Sequence, residues 1–499
     1  MKDIFAIGET FPHEDHKKRV DRYHTNKHVF LGDHYEVFER RLSQMTGRQQ
    51  NTIYISSNIA GIICKKSADF LFGEAPVYSA GKADDSPEQK ALERLVNDND
   101  LNIINYESAL SNAYRGDSFY KIRWGQEYGG MLPEDFDPFK VIIESQNANY
   151  VFPQESPVDA HKIICYHVAY PECIDLEYGD DWILHIESHY PGYIHQRDMR
   201  MNATRYDPIT GEANEWKIYA YIEGTEQTIP TGVPHPLVVH VPNYGLDDTW
   251  EGVDDLTEHH GIFDEINNRL SKIAEILDKH ADPAMVVPVG SLEEDENGQP
   301  IFHAGRDKIF EIMDKNDVPP QYITWNGQLQ ACFQELDLLV DQLLMNCEIP
   351  PVALGKDNSG TSGASGIAVK MRMNSLLAKI NRKRQYYDKA LKRVLYIAQL
   401  LEQAQSTIGY EPTVPHITFK DGLPNDDSEL ANIASIRTGG KPTLSQLSAI
   451  MSLNGCTEEQ ARIEIERIDE EEKAASFVDG SIFNEPDTEP QEEDVGGDS

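Results

Sequence analysis

The sequence predicts an α+β fold on three observations. Between residues 118 and 245, runs rich in β-branched and aromatic residues (SFYKIRW, KVIIE, KIICYHVAY, WILHIESHY, WKIYAYIEG and PLVVHVP) are separated by Gly, Pro and Asp turns, the pattern of a mostly antiparallel sheet. From residue 255 the apolar spacing changes to three and four, with Leu256, His260, Phe263, Ile266, Leu270, Ile273 and Leu277 on one helical stripe. A longer seam, Met373, Leu377, Ile380, Tyr387, Leu391, Val394, Ala398 and Leu401, predicts a helix over roughly 365–404 that would span about 60 Å.

The remaining elements follow in order. DHYEVFERRLSQM has helical spacing. In ISSNIAGIICKKSADFLFGEAP, Ser56 or Ser57 can cap a helix that turns Ile59, Ile62, Ile63 and Phe70 inward and ends at Gly73 and Pro76. SPEQKALERLVNDN and INYESALSNAYRG read as two further helices, the second stopped by Gly116. The helix after residue 255 carries Glu265–Arg269 and Glu275–Lys279 as i,i+4 pairs in the favourable order, and Pro283 ends it. AMVVPV and KIFEIMD flank an acidic linker whose Asn297-Gly298 is a tight-turn signal, so 284–325 reads as a small β unit. QLQACFQELDLLVDQLLMNCE, residues 328–348, is helical again and is stopped by Pro350-Pro351. GKDNSGTSGASG follows, a Gly/Ser segment too short in side chain to pack a core. HITFKDGLPNDD predicts a last strand and three short helices continue to about 473. The tail 474–499, with seven acidic and no basic residues in NEPDTEPQEEDVGGDS, reads as disordered.

Charge is distributed unevenly. The chain of 499 residues has 45 basic and 84 acidic side chains, a net charge of −39, which argues against a simple basic nucleic-acid footprint. No Lys or Arg occurs between Asp317 and Gly355, and within that stretch Gln334, Asp337, Asp341 and Glu348 share one stripe. The next helix carries Lys370, Arg372, Lys379, Arg382, Lys383, Arg384, Lys389, Lys392 and Arg393 against Asp388 and Glu402 alone. An acidic helix, a Gly/Ser loop and a basic helix thus follow one another over 328–404, and the acidic stripe by itself also reads as solvated surface. The basic helix reads as a contact with neighbouring subunits, part of it facing DNA or other components.

A search for chemistry finds none to assign. There is no G-x-x-x-x-G-K-[ST], no H-E-x-x-H and no C-x-x-C, so neither a nucleotide-phosphate cradle nor a zinc site is indicated. Adjacent His259 and His260 point about 100° apart on a helix, which suits packing better than chelation. The pairs Glu134-Asp135 and Asp254-Asp255 read as turn residues. The six cysteines read as reduced thiols, and no stretch approaches the ~18–20 apolar residues of a membrane span. No signal peptide is read at the N-terminus. The reading is of a protein without enzymatic activity or cofactor.

Six short motifs, in order, resemble the portal proteins of tailed bacteriophages, in particular the branch from siphoviruses of Gram-positive hosts. They are Asn58 with Ser67-Ala68-Asp69-Phe70-Leu71-Phe72-Gly73-Glu74-Ala75-Pro76; Arg115-Gly116-Asp117-Ser118-Phe119-Tyr120; and Pro236-Leu237-Val238-Val239-His240-Val241-Pro242-Asn243. Asp264, Asn267, Asn268 and Ser271 follow, then Ser365-Gly366-Ile367-Ala368-Val369-Lys370 with Lys379, and finally Ile417-Thr418-Phe419-Lys420-Asp421-Gly422-Leu423-Pro424.

The resemblance implies a portal fold: an α/β wing (1–254), a stem helix (255–283), a small β-containing clip (284–325), a second stem helix (326–348), a tunnel loop (349–365), a long helix with a closing wing strand (366–425) and a helical crown (426–473). It implies a ring of about twelve subunits at one capsid vertex, a channel through which double-stranded DNA is packaged and ejected, and contacts with terminase, with major capsid or scaffolding protein and with a head–tail connector. The protein would be made in the host cytoplasm and would end in the virion. Lys356, Asp357, Asn358, Ser359, Thr361 and Ser362 would form the DNA-facing loop. Gln334, Asp337, Asp341 and Glu348 would line the channel, and Lys370, Arg372, Lys379, Arg382, Lys383 and Arg384 would face DNA or a neighbouring subunit. The alternatives are a minor capsid or connector protein that forms no ring, and a DNA-packaging enzyme, against which the missing phosphate cradle and carboxylate cluster speak.

Overall fold

A computed structural model describes residues 3–42, 54–174, 181–207, 209–281, 285–286, 293–294, 300–301, 321–322, 329–356, 370–420, 427–439, 442–454 and 458–481. It divides into two compact units, one of residues 1–81 with 91–422 and one of residues 82–90 with 423–499.

The first unit begins with strand β1 (Thr10–Phe11) and helices α1 (Glu14–Leu31), α2 (His34–Leu42) and α3 (Ile59–Phe72). After β2 (Val77–Ser79) come α4 (Pro87–Asp98) and α5 (Leu101–Arg115). The strands β3 (Asp117–Gly125), β4 (Lys140–Gln146), β5 (Val151–Ser156), β6 (Asp159–Cys173), β7 (Trp182–Tyr190), β8 (Tyr193–Tyr206), β9 (Ala213–Tyr221), β10 (Gln227–Pro230) and β11 (Val238–Pro242) make two antiparallel sheets rather than one. The larger has the order β1-β9-β8-β7-β6-β5 with β10 also on β8, and the smaller is β11-β3-β4. The expected strands all occur. β8 was not among them, because YIHQRDMRMNATRY is polar along most of its length. Its Met199 and Met201 nonetheless point into the core with Leu184, Ile186, Trp216 and Phe152.

Helix α1 fastens the two sheets. Val20 enters the core of the large sheet and Tyr23 that of the small one. Between them the buried Arg19 donates to the Val151 carbonyl at 2.9 Å and lies over the rings of Tyr23, Phe152 and Trp250. The cap of α3 is Asn58, not Ser56 or Ser57: its side chain accepts from the Gly61 N–H at 2.8 Å and donates to the Phe30 carbonyl. The buried face of α3 also differs from the expectation. Ala60, Ile63, Cys64, Ser67, Ala68 and Leu71 turn inward and Ile62 is exposed. Small side chains on this face let α3 approach α5 closely, so proximity outweighs the hydrophobicity of single residues.

A 3₁₀ turn, Thr257–His259, leads into α6 (His260–Ala281), which packs on α7 (Leu329–Asn346). Between them the described pieces β12 (Met285–Val286) and β15 (Gln321–Tyr322) pair, as do β13 (Glu293–Glu294) and β14 (Pro300–Ile301). KIFEIMD and the Asn297-Gly298 turn lie outside the described residues. Helix α8 (Asn374–Gln405) is the long one, about 48 Å at 1.5 Å per residue. It packs on β3 and β11, and Ile380, Tyr387, Leu391, Val394 and Ala398 are buried along it. Strand β16 (His416–Thr418) then pairs antiparallel with β2, joining the end of this unit to the strand that follows α3.

The second unit holds α9 (Asp427–Thr438), α10 (Gln446–Asn454) and α11 (Glu458–Ser481), with Ala449 and Ala461 buried. Helix α11 runs past residue 473, where the acidic tail was expected to begin; residues 482–499 lie outside the described ones.

Candidate functional site: the junction of α3, α7 and α8

The segment between β11 and α6 carries two adjacent acids with different tasks. Asp254 caps the coming helix: its carboxylate accepts from the N–H groups of Leu256 at 2.9 Å and Thr257 at 2.6 Å and from the Thr257 hydroxyl at 2.7 Å. Asp255 turns inward. Its carboxylate receives the Lys383 ammonium at 2.6 Å and has Lys379 at 3.3 Å, while Asn243 donates to it at 3.0 Å and Ser67 at 3.2 Å. The Asp255 N–H is bonded to the Ala113 carbonyl. Lys379 also donates to the Cys347 carbonyl at 3.2 Å, just past the end of α7. One carboxylate thus ties together α3, α5, the exit of β11, the end of α7 and the first half of α8.

The electrostatics follow from that packing. Burial alone would raise the Asp255 carboxyl, but Lys379 and Lys383, helped by the bonds from Lys383 and Asn243, hold it well below the usual carboxylate range. Burial also pulls Lys383 down, with the Asp255 charge opposing it.

Two further clusters fix the surroundings. Asn267 and Ser271 on α6 grip the segment that leads into α3: the Asn267 amide oxygen accepts the Ser57 N–H at 2.9 Å and its amide nitrogen donates to Tyr54, while the Ser271 hydroxyl accepts the Ile55 N–H at 2.8 Å. Buried Asp117 accepts from the Tyr23 hydroxyl and the Gly252 N–H and lies 2.7 Å from His240 Nε2. Gly116 and Gly252 touch backbone to backbone. A Cβ on Gly252 would come within 2.0 Å of the Gly116 carbonyl oxygen, and Gly116 sits at φ +92°.

The residues singled out in the sequence fall into three groups. Gln334, Asp337 and Asp341 are exposed along α7. Glu348 stands apart from them, past the helix end, and is paired with Arg382 at 2.6 Å. Lys356 is exposed, and Asp357, Asn358, Ser359, Thr361 and Ser362 lie outside the described residues. Of the basic set, Lys370 and Arg372 are exposed, whereas Lys379 and Lys383 are buried on Asp255. Arg384 donates to the carbonyls of Phe70 and Lys420. Four of that set, Lys379, Arg382, Lys383 and Arg384, are therefore engaged inside the chain.

Sequence reasoning passed over Asp255 as a turn residue. A signal was present all the same: Ser67, Asn243 and Lys379, drawn from three of the six motifs, all contact this one carboxylate, and Gly116 of a fourth accepts the Asn243 N–H. His260 is bonded to the Asn26 amide oxygen at 2.9 Å, and among the described residues no cluster of His, Cys, Asp or Glu is placed to hold a metal.

Separate motifs thus meet to brace a long helix against paired helices. The chain belongs to the phage portal proteins: the family model described as "Phage portal protein, SPP1 Gp6-like" matches residues 11–476 of 499. This gives it a phage portal role and makes it a component of the virion. No curated protein matches the chain. Among the described residues no helix is long and apolar enough to cross a membrane.

Proposed function

We propose that the chain is the repeating subunit of a ring at one capsid vertex, whose axis is the channel for packaging and ejection of double-stranded DNA. The observation that carries this reading is the family match over residues 11–476. On this reading the α/β part before residue 255 is the wing, α6 and α7 the stem, and 284–325 the clip that meets terminase and later the head–tail connector. Residues 349–365 are the tunnel loop, α8 and β16 close the wing, residues 426–473 are the crown, and major capsid or scaffolding protein is a further partner.

The physics of passage supports an acidic wall. A duplex carries about one negative charge per ~1.7 Å, so a basic wall would retain it. Asp337 and Asp341 repeated around a ring present like charge, which acts over roughly the ~8 Å screening length of physiological salt. α8 then serves mainly as a brace, since Lys379, Lys383 and Arg384 are engaged within the subunit.

Electron microscopy of the purified chain tests the ring: closed rings of about a dozen subunits with an axial channel are expected, and monomers or dimers would refute it. The double charge reversal D337K/D341K is expected to slow DNA translocation while leaving the ring intact. Unchanged packaging would remove α7 from the channel wall.

A further inference from the structure

Among the described residues two non-glycine residues have positive φ, Asp100 at 46° and Glu348 at 59°. Aspartate tolerates this region because its short side chain can bond its own backbone; glutamate gains no such relief. Glu348 occupies the position after a helix that glycine usually takes. Its N–H donates to the Met345 carbonyl at 3.1 Å, the Ile349 N–H donates to the Leu344 carbonyl at 2.9 Å, and Leu344 and Ile349 are both buried, as a left-handed helix stop requires. What glutamate supplies there and glycine cannot is a carboxylate, and that carboxylate lies 2.6 Å from the Arg382 guanidinium on α8.

The backbone on either side is stiff. Pro350 is extended at φ −69° and ψ 146°, and Pro351 opens a 3₁₀ turn closed by Gly355. Ile349, preceding a proline, is kept out of the helical region. α8 is anchored through Lys379 and Lys383 on Asp255, and Lys379 holds the Cys347 carbonyl. Along 347–354 the residue with positive φ is Glu348.

We propose that Glu348 is a one-residue latch: its pair with Arg382 holds the left-handed turn that ends α7, and breaking the pair lets the backbone at Glu348 relax and redirects the chain leaving α7. The two pairs at this junction differ in access. The Arg382 and Glu348 side chains are 51% and 38% exposed, whereas Lys383 and Asp255 are 4% and 3% exposed. The first can be opened by a competing charge while the second stays shut. A polar cavity of about 200 Å³, lined by Tyr244, Glu258, His259, Glu348 and Arg382 among others, leaves room for the side chains to part. The consequence for DNA passage, that the latch sets the direction in which the tunnel loop leaves the stem, rests on the function proposed above; the latch itself does not.

Amide hydrogen exchange on the purified full-length chain tests it, with R382Q, E348G and the double variant compared with the parent. R382Q is expected to speed exchange at the Glu348 and Ile349 amides about fivefold, equivalent to roughly 1 kcal/mol. E348G keeps them at least as protected as the parent, since glycine needs no partner to hold the turn, and the double variant behaves like E348G. Unchanged exchange in R382Q, loss of protection in E348G, or a double variant as fast as R382Q would overturn the latch. So would equal acceleration at Leu391 and Val394 in the core of α8, which would mark general destabilisation. A chain that forms no rings would refute the channel reading and leave these exchange results standing.

Discussion

The Asp255 cluster makes the strongest quantitative prediction. Asp255→Asn keeps the shape of the side chain and removes the carboxylate that the buried Lys383 contacts. Lys383 and Lys379 are 3% and 7% exposed, so neither can recover its charge stabilisation from water. Breaking a buried pair from one side costs about 3–5 kcal/mol, because the remaining charge is left without compensation. Here Lys379 keeps the Cys347 carbonyl while, among the described residues, Asp255 is the partner Lys383 loses, which places the loss toward the upper part of that range. The assay is urea unfolding at fixed protein concentration, since assembly would otherwise shift the midpoint. The double variant Asp255→Asn, Lys383→Met should recover a large part of the loss.

The pH profile adds a second check. The native carboxyl of Asp255 is depressed, so its contribution is complete above the unfolded value near ~4 and is lost as pH falls through the native one. The gap between parent and variant should therefore stay constant from neutrality to about pH 4 and close only in stronger acid. A stability within about 1 kcal/mol of the parent at pH 7 would refute a brace of this kind.

Three further outcomes are expected. Asn267→Ala removes the acceptor for the Ser57 N–H and should cost about 1–2 kcal/mol, with faster hydrogen exchange at Ile55 and Ser57 while β6 and β7 are unaffected. Gly252→Ala drives a methyl against the Gly116 carbonyl, and should destabilise by at least ~2 kcal/mol, read as a lowered thermal midpoint; Gly192→Ala, with nothing within 4 Å, bears only the cost of its positive φ. On β7 of the large sheet, burial pushes the Glu187 carboxyl up but His189 and Lys121 bring it down to about 2. Its stabilisation is present above the unfolded value near ~4.3 and is lost as pH falls toward about 2, so Glu187→Gln should cost about 2–3 kcal/mol at pH 7 and flatten the acid limb of the urea midpoint against pH.

Legibility in the sequence followed the kind of interaction involved. Strands β3, β4, β6, β7, β9 and β11, and helices α5 to α8, are carried by apolar period, and period is a property of neighbouring residues. Strand β8 escaped because its outward positions are charged and only Met199 and Met201 mark the inward face. The buried face of α3 was misread through Ile62, since hydrophobicity ranks residues singly whereas helix contact here depends on small side chains opposite one another.

The charge pattern, the basic-free helix α7 and the six motifs are properties of the sequence by itself, and with them came membership of the portal family. What the motifs are for was settled only in three dimensions. Asp255 looks like any acid in a turn until α8 brings two lysines down on it, and the basic face of that helix looks like a binding surface until four of its charges are found to be used inside the chain. The reason is physical: a periodic pattern records which face of an element is buried, but the partner of a buried charge is chosen by chain segments more than a hundred residues apart, such as Asp255 and Lys383. The same holds for Glu348, which the sequence puts on the acidic stripe and the structure sets past the helix end, in a left-handed backbone paired with Arg382.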